Sequence, residues 1–159
     1  MKVRAANLSD ASGIMAIWNP IIRLTTATFT TEEKTLPGTQ SLIETAACAL
    51  VAENDSGVRG FAISAPFRAG PGYVHTEEVT VYVAPEVRET GIGRQLLAAL
   101  EENAAARGVT RLIAGVSGEN VDAPDFFRRF GFAETARLPK VGFKFDREID
   151  LIFMMKSLT

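Results

Sequence analysis

The chain has 159 residues, 47% of them apolar and 23% charged, with a formal net charge of −2. This length and balance suit one packed core that needs no disulfide or metal to hold it. The weak negative charge gives no electrostatic case for nucleic acid or an anionic membrane as a partner.

The lone cysteine, Cys48, cannot close an internal disulfide and leans toward a reducing compartment. Its setting, Ala46-Ala47-Cys48-Ala49-Leu50, reads as a buried, inert thiol rather than a nucleophile. One histidine and one cysteine far apart offer no metal-ligand spacing. Lys2 and Arg4 are followed by Ser9, Asp10 and Asn19-Pro20 rather than by a signal-peptide core. No run approaches the roughly 20 apolar residues that span a bilayer. The expectation is a soluble cytoplasmic protein, folded as one domain over residues 1–159.

Val3–Ala5 reads as a first short strand. Asn7 or Ser9 caps a helix whose Ile14, Ile17 and Trp18 share a face, and Pro20 is expected to end it. Residues 24–35 are threonine-rich and aperiodic, a loop of extended character, and a short helix follows over Thr39–Ala46. Ala49–Glu53 and Val58–Ala65 form a hairpin around the turn Asn54-Asp55-Ser56-Gly57. Pro66–Gly72 is a second loop, and Tyr73–Val83 is expected as the longest strand. A helix begins at Thr90 or Gly91 and runs to Arg107, with Leu96, Leu97 and Leu100 inward and Gly108 as its stop. Leu112–Val116 is a buried strand. Asp122–Phe130 is a short helix crowded on one side by Phe126, Phe127 and Phe130. Gly131-Phe132 leads into another strand, and Glu148–Met155 is the last. This order describes an α+β layout, a mixed sheet covered by helices.

The stretch with most chemical content is Val81-Tyr82-Val83-Ala84-Pro85-Glu86-Val87-Arg88-Glu89-Thr90-Gly91-Ile92-Gly93-Arg94. A β-branched strand is followed by a proline-marked turn, a loop with two glycines and a long helix. Unpaired N–H groups at a helix N-terminus, together with the positive end of its dipole, favour an anion. Gly91 and Gly93 are read as clearing Cβ atoms from a phosphate's path, and Arg88 and Arg94 add charge. A dinucleotide fingerprint wants a third glycine where Leu96 stands, and no Gly-Lys-Ser/Thr exists for a Walker loop. A plain strand-to-helix turn, with glycines for geometry alone, is the competing reading.

The pattern Arg-x-x-Gly-x-Gly after Val-Tyr-Val resembles the coenzyme A pyrophosphate loop of the GNAT N-acetyltransferases. Asn120 and the run ending Gly131-Phe132 extend that resemblance. It implies the GNAT fold, whose mixed, mostly antiparallel central sheet is splayed in the middle and flanked by helices. It also implies acetyl-CoA as acetyl donor. Residues Arg88, Glu89, Thr90, Gly91, Ile92, Gly93 and Arg94 would hold the pyrophosphate. The Val81, Tyr82 and Val83 backbone would pair with the pantetheine arm, and Asn120 would bond it from the other side.

Several further segments resemble the phosphinothricin and methionine sulfone/sulfoximine N-acetyltransferases. They are Asn19, Thr26–Phe29, Pro66-Phe67-Arg68, Gly72–Glu78, Val141–Phe145 and Asp150–Met154. An α-ammonium group must lose a proton before its nitrogen attacks a thioester. The resemblance assigns that task to Glu78, with a solvated strand carboxylate as the alternative. Glu77 alternates to the other strand face. A backbone N–H near Val81 could serve as the oxyanion donor without any special side chain. Arg68, with Ala69 and Gly70, would hold the acidic end of an amino-acid acceptor. Val79, Thr80 and Phe29 would complete the acceptor wall, with Trp18 a further candidate.

Three departures stand out. Val74 replaces an arginine, Val79 replaces a histidine, and Phe127 replaces the histidine that would protonate the thiolate, so no general acid is assigned. His75, the only histidine, reads as structural at a strand start. Relatives of this type are homodimers, which the resemblance carries over here. An acyl-CoA-binding regulatory module, and acetylation of another amine or of a protein, are the rival readings.

Overall fold

Alternating apolar residues along the strands give a sheet two packing faces, and here helices are recruited to both. In the computed structural model, which describes residues 1–159, the strands are β1 (Lys2–Ala5), β2 (Cys48–Asn54), β3 (Gly57–Pro66), β4 (Thr76–Val83), β5 (Arg111–Ser117), β6 (Ala133–Lys144) and β7 (Arg147–Ser157). The helices are α1 (Ala11–Leu24), α2 (Leu36–Thr45), α3 (Ile92–Ala106) and α4 (Ala123–Arg129). All seven strands join one sheet in the order β1-β2-β3-β4-β5-β7-β6. Only β4 and β5 are parallel neighbours, so the α+β, mostly antiparallel architecture expected from the element order is the one observed.

On one face Leu96, Leu97 and Leu100 of α3 pack with Leu50, Ala62, Val79, Leu112 and Met154. On the other, Ile14 and Ile17 of α1 pack with Val51, Phe61 and Ile63. That second cluster draws its strand residues from β2 and β3, with Tyr82 of β4 packed against it. Its helices therefore leave the same face of β5 and β7 outside their core.

Of the two candidate caps, Asn7 is the one used. Its side chain accepts from Ser9 N at 2.9 Å, while Asp10 Oδ2 accepts from Asn7 N at 2.8 Å. This reciprocal arrangement starts a turn that runs straight into α1. Pro20 does not end α1, which continues to Leu24. Lacking an N–H, Pro20 leaves the Ala16 carbonyl unbonded. The last turn is nevertheless secured by burial of Ile22 and by Thr25, whose N and Oγ1 both donate to Ile21 O at 3.1 and 2.7 Å. Helix α2 begins at Leu36 rather than Thr39, because Thr35 Oγ1 accepts from Gly38 N at 3.1 Å and Pro37 suits a first turn.

The expected strand start at Tyr73 is also corrected. Gly70, at φ +98°, turns the chain into a single 3-10 turn over Pro71–Tyr73, and β4 starts only at Thr76. The His75 carbonyl instead accepts from Thr110 and Arg111 N–H at 2.9 and 3.2 Å, which anchors the start of β5.

One feature of the sheet positions everything that follows. Parallel pairing of β4 with β5 covers only Thr76↔Arg111 through Val79↔Ala114. Beyond it, Thr80–Val83 stay with β3, and Gly115–Ser117 stay with β7. The two central strands part after Val79 and leave a wedge-shaped gap.

Candidate active site

The loop between β4 and α3 ends in a cluster of free donors. Arg88 is extended, Glu89 has φ +64° and Gly91 has φ +87°. The first bond of α3 runs from Gln95 N to Gly91 O at 3.0 Å, which leaves the N–H groups of Ile92, Gly93 and Arg94 without a protein acceptor. No side chain caps this helix. Free donors, the positive end of a helix dipole and two exposed guanidinium groups, Arg88 and Arg94, give this loop the chemistry to hold an anion.

The two glycines have different causes. Gly91 lies in the left-handed region with open space around it, so backbone conformation selects it. A Cβ on Gly93 would sit 3.3 Å from Phe126 Cε2. The close approach of α4 gives Gly93 a packing reason of its own, beside its reading as a clearance for phosphate.

Strand β4 supplies an unpaired edge to the gap. Ala84 N donates to Arg59 O of β3 at 2.7 Å, and this fixes the phase of the strand. Tyr82 and Thr80 then turn their backbone groups toward β3, while Val79, Val81 and Val83 turn theirs away. Val79 still has Ala114 opposite it; Val81 and Val83 face the gap beyond the last paired residues. Across the gap, Asn120 Oδ1 accepts from Asp122 N and Ala123 N at 3.1 and 3.0 Å, capping α4. Its oxygen is committed to the fold, and only its amide nitrogen remains to donate.

Side chains of β4 divide cleanly. Glu77 is buried on the α3 face, where Arg107 donates to both its oxygens at 2.7 and 2.9 Å and Ser64 Oγ donates at 2.9 Å. Burial pushes this carboxyl up, but Arg107 and Ser64 outweigh it and hold the group below its ordinary range. Glu78 lies on the opposite face beside the point where β4 and β5 part. Desolvation, with no cation or hydrogen bond to offset it, pushes the Glu78 carboxyl above its ordinary range.

Around Glu78 stand residues from four segments. A Cβ on Gly115 of β5 would lie 3.3 Å from Glu78 Oε2, 3.6 Å from Leu151 Cδ1 and 3.9 Å from Phe153 Cε1. Phe67 meets Phe153 edge-on at 5.7 Å between ring centres, and the Arg68 guanidinium lies 5.8 Å from the Phe67 ring. Arg68, Ala69 and Gly70 are exposed on one loop, and Arg68 has no carboxylate partner. Thr80 shares the Glu78 face by alternation. The sequence reading missed Gly115, Leu151, Phe153 and Phe67. The available signal was a glycine inside the apolar strand pattern Leu112–Val116.

Other expected site residues lie elsewhere. The Val79 side chain is buried under α3 on the far face from Glu78, so it forms no acceptor wall. Phe29 is pressed on Gly142 of β6, where a Cβ would come within 2.4 Å of its ring. Trp18 packs on Phe61 and Tyr82 at 5.0 and 6.3 Å and carries Lys34 over its ring. Phe127 is a core residue packed against Phe126 and Phe132. The Tyr82 hydroxyl, its pKa pushed up to about 12 by burial, donates to Ala27 O at 3.4 Å.

A chain with these parts has known counterparts. The model of the acetyltransferase (GNAT) family matches residues 17–132. The chain belongs to the GNAT acetyltransferase family. It is 36% identical to the L-methionine sulfoximine/L-methionine sulfone acetyltransferase of Pseudomonas aeruginosa, over 98% of this chain and 94% of the relative. It is 33% identical to the phosphinothricin N-acetyltransferase of Streptomyces coelicolor, over 99% and 96% of the two chains.

Among solved structures, a ribosomal-protein-alanine N-acetyltransferase from Brucella melitensis superposes with a TM-score of 0.94 at 37% identity, covering 99% of each chain. The yncA protein of Salmonella typhimurium, a putative acetyltransferase solved with its cofactor acetyl-CoA, also gives 0.94, at 30% identity over 99% of this chain and 94% of that one. This GNAT protein is an acetyl-CoA-dependent N-acetyltransferase. The free donors of α3 and the open edge of β4 have the chemistry that the donor's phosphates and amide-bearing arm require.

Proposed function

We propose that this enzyme moves the acetyl group of acetyl-CoA to the α-amine of a small amino-acid-like compound, by direct attack with Glu78 as general base. Methionine sulfone, methionine sulfoximine and phosphinothricin are the acceptor types that the names of the relatives suggest. The observation that carries the reading is Glu78, a carboxylate beside the fork of β4 and β5 that has no cation or hydrogen-bond partner and stays open to solvent, with neighbouring protein pushing its pKa up. A base whose pKa is raised toward the working pH takes a proton more readily from an ammonium group. Bound acetyl-CoA supplies a thioester carbonyl. The pyrophosphate rests on residues Arg88–Arg94, and the arm runs along Val81–Val83 with the Asn120 amide nitrogen opposite. The Val81 N–H faces the gap, where it meets the oxygen that gains charge as the amine attacks. Arg68, free of any carboxylate of the protein, is available to an acidic group of the acceptor.

The reading extends to one acetyltransferase domain over residues 1–159, a cytoplasmic setting suggested by the single unpaired Cys48, and a homodimer. Strand β6 is a free sheet edge bearing exposed Val141 and Phe143, with exposed Phe145 in the turn that follows, a surface that a second copy can cover. The deciding experiment adds an amine panel to enzyme and acetyl-CoA and follows thiol release. The panel comprises the three compounds above and a peptide with N-terminal alanine. Release with the amino acids is the expected result. Tight acetyl-CoA binding without release on any amine would point to a binding module, and release with the peptide alone would point to a protein substrate.

A further inference from the structure

We infer that Gly115 is a specificity-determining residue: it forms the floor of a subsite, walled by Leu151 and Phe153, for the side-chain stem of the acceptor. The inference rests on the proposed role of Glu78 and deepens it. Glycine inside a strand weakens it relative to alanine and calls for a cause. The usual causes are absent at Gly115. It has no positive φ, and its pairing with β7 continues in unbroken register from Arg111↔Ser157 to Ser117↔Leu151. Crowding by the fold does not select it either. A Cβ at Gly60 would press on Leu96, Val83 and the Tyr82 carbonyl, all within 3.3 Å. At Gly115 the nearest atom is the flexible tip of Glu78 at 3.3 Å, and the two apolar walls are at ordinary contact distance. A methyl group there would require only the tip of Glu78 to move; what the glycine preserves is space next to the base. Close approach of a ligand is the remaining reason for a strand glycine.

The chemistry of the surroundings identifies what fills that space. Strand alternation puts Gly115, Leu151 and Phe153 on the face of Glu78, where α1 and α2 do not reach. Leu151, Phe153 and Phe67 are each only partly covered. The Glu78 carboxylate stands at one end of this strip and the exposed Arg68, beyond Phe67, at the other, with Arg111 on the same face of β5 two residues before Ile113, which pairs with Glu78. An amine held at Glu78 therefore has its carbon skeleton laid across Gly115 against apolar walls. Amino acids with an extended, largely apolar stem, such as a thioether or sulfone chain, suit this arrangement; short acidic ones do not.

The test compares wild-type enzyme with Gly115→Ala on L-alanine, L-norvaline and L-methionine sulfone by thiol release. We expect kcat/KM in the variant to fall about tenfold for methionine sulfone, mainly through KM, by less for norvaline, and by under about twofold for alanine. The KM for acetyl-CoA should not move. A second variant, Leu151→Ala, enlarges the box and should raise the ratio of phenylalanine to methionine sulfone turnover. An equal loss on all three amines in Gly115→Ala, with no change of preference in Leu151→Ala, would overturn this inference while leaving the acetyltransferase reading intact. A wild-type enzyme inactive on every amine would overturn both.

Discussion

Glu77 and Glu78 are adjacent and chemically alike, yet strand geometry sends one under α3 to Arg107 and the other to an unpartnered position at the fork. Their opposite pKa shifts follow from that single alternation. The division was legible in the sequence because a period of two needs only the strand to be recognised. What holds Glu77 was not legible, since Arg107 lies a helix and a loop away. The sign for Glu78 makes a prediction. A raised pKa means that the ionised base is lost at a higher pH than an ordinary glutamate, so kcat/KM should climb through an acidic limb lying above the usual carboxylate range. Glu78→Gln should lower kcat by about 10² to 10⁴ and abolish that limb, with acetyl-CoA affinity unchanged. It should also stabilise the fold slightly at neutral pH, because it removes a desolvated charge. That gain should fade as pH drops below the point where Glu78 protonates in the wild type. Rate profiles between pH 4 and 9, with thermal melts at both ends, read both effects.

At the scale of elements, errors fell where a distant residue decides a local outcome. Pro20 is an ordinary helix terminator by sequence, but the end of α1 is held from β6. Lys144, only 1% exposed, donates to Ile22 O at 2.6 Å and to Thr28 O at 2.8 Å. A cation bonded to the last helical carbonyls is favourable to the helix dipole, and no sequence window links residues 22 and 144. Burial pushes the Lys144 ammonium below its ordinary range, since carbonyls and not a carboxylate receive it. The loop after α1 depends on the same lysine, with Phe29 seated on Gly142 and Ala27 bonded by Tyr82. Lys144→Met keeps the stem and removes the donors, leaving two carbonyls without their partner. It should cost about 2–3 kcal/mol by denaturant unfolding, and proteolysis should then cut first within residues 24–30. A variant as stable as the wild type would show that the ammonium is dispensable.

Across the whole molecule, all seven strands were legible in the sequence but not their order. Strand β7 inserts between β5 and β6, a long-range choice that composition does not encode. The gap between β4 and β5 was therefore expected only through family resemblance. The same insertion leaves β6 as the outer edge, and its two faces differ. Gly142 and Lys144 point inward to Phe29 and the end of α1, so Val141 and Phe143 point the other way, 57% and 64% exposed, followed by Phe145 at 48%. Three large apolar side chains exposed together at the end of an outer strand invite a partner unless something covers them. A symmetric second copy would cover them in a closed way, since an isologous contact uses the same patch twice. Phe143→Glu puts a charge at the centre of that patch twice per dimer. Sedimentation should show the wild type as a dimer at micromolar concentration and the variant weakened at least about tenfold. Acetyl-CoA binding should persist in the monomer, because the free N–H groups of α3 and the edge of β4 belong to a single chain. A wild type that sediments as a monomer at those concentrations would leave the apolar edge of β6 to some other partner and remove the homodimer from the functional picture.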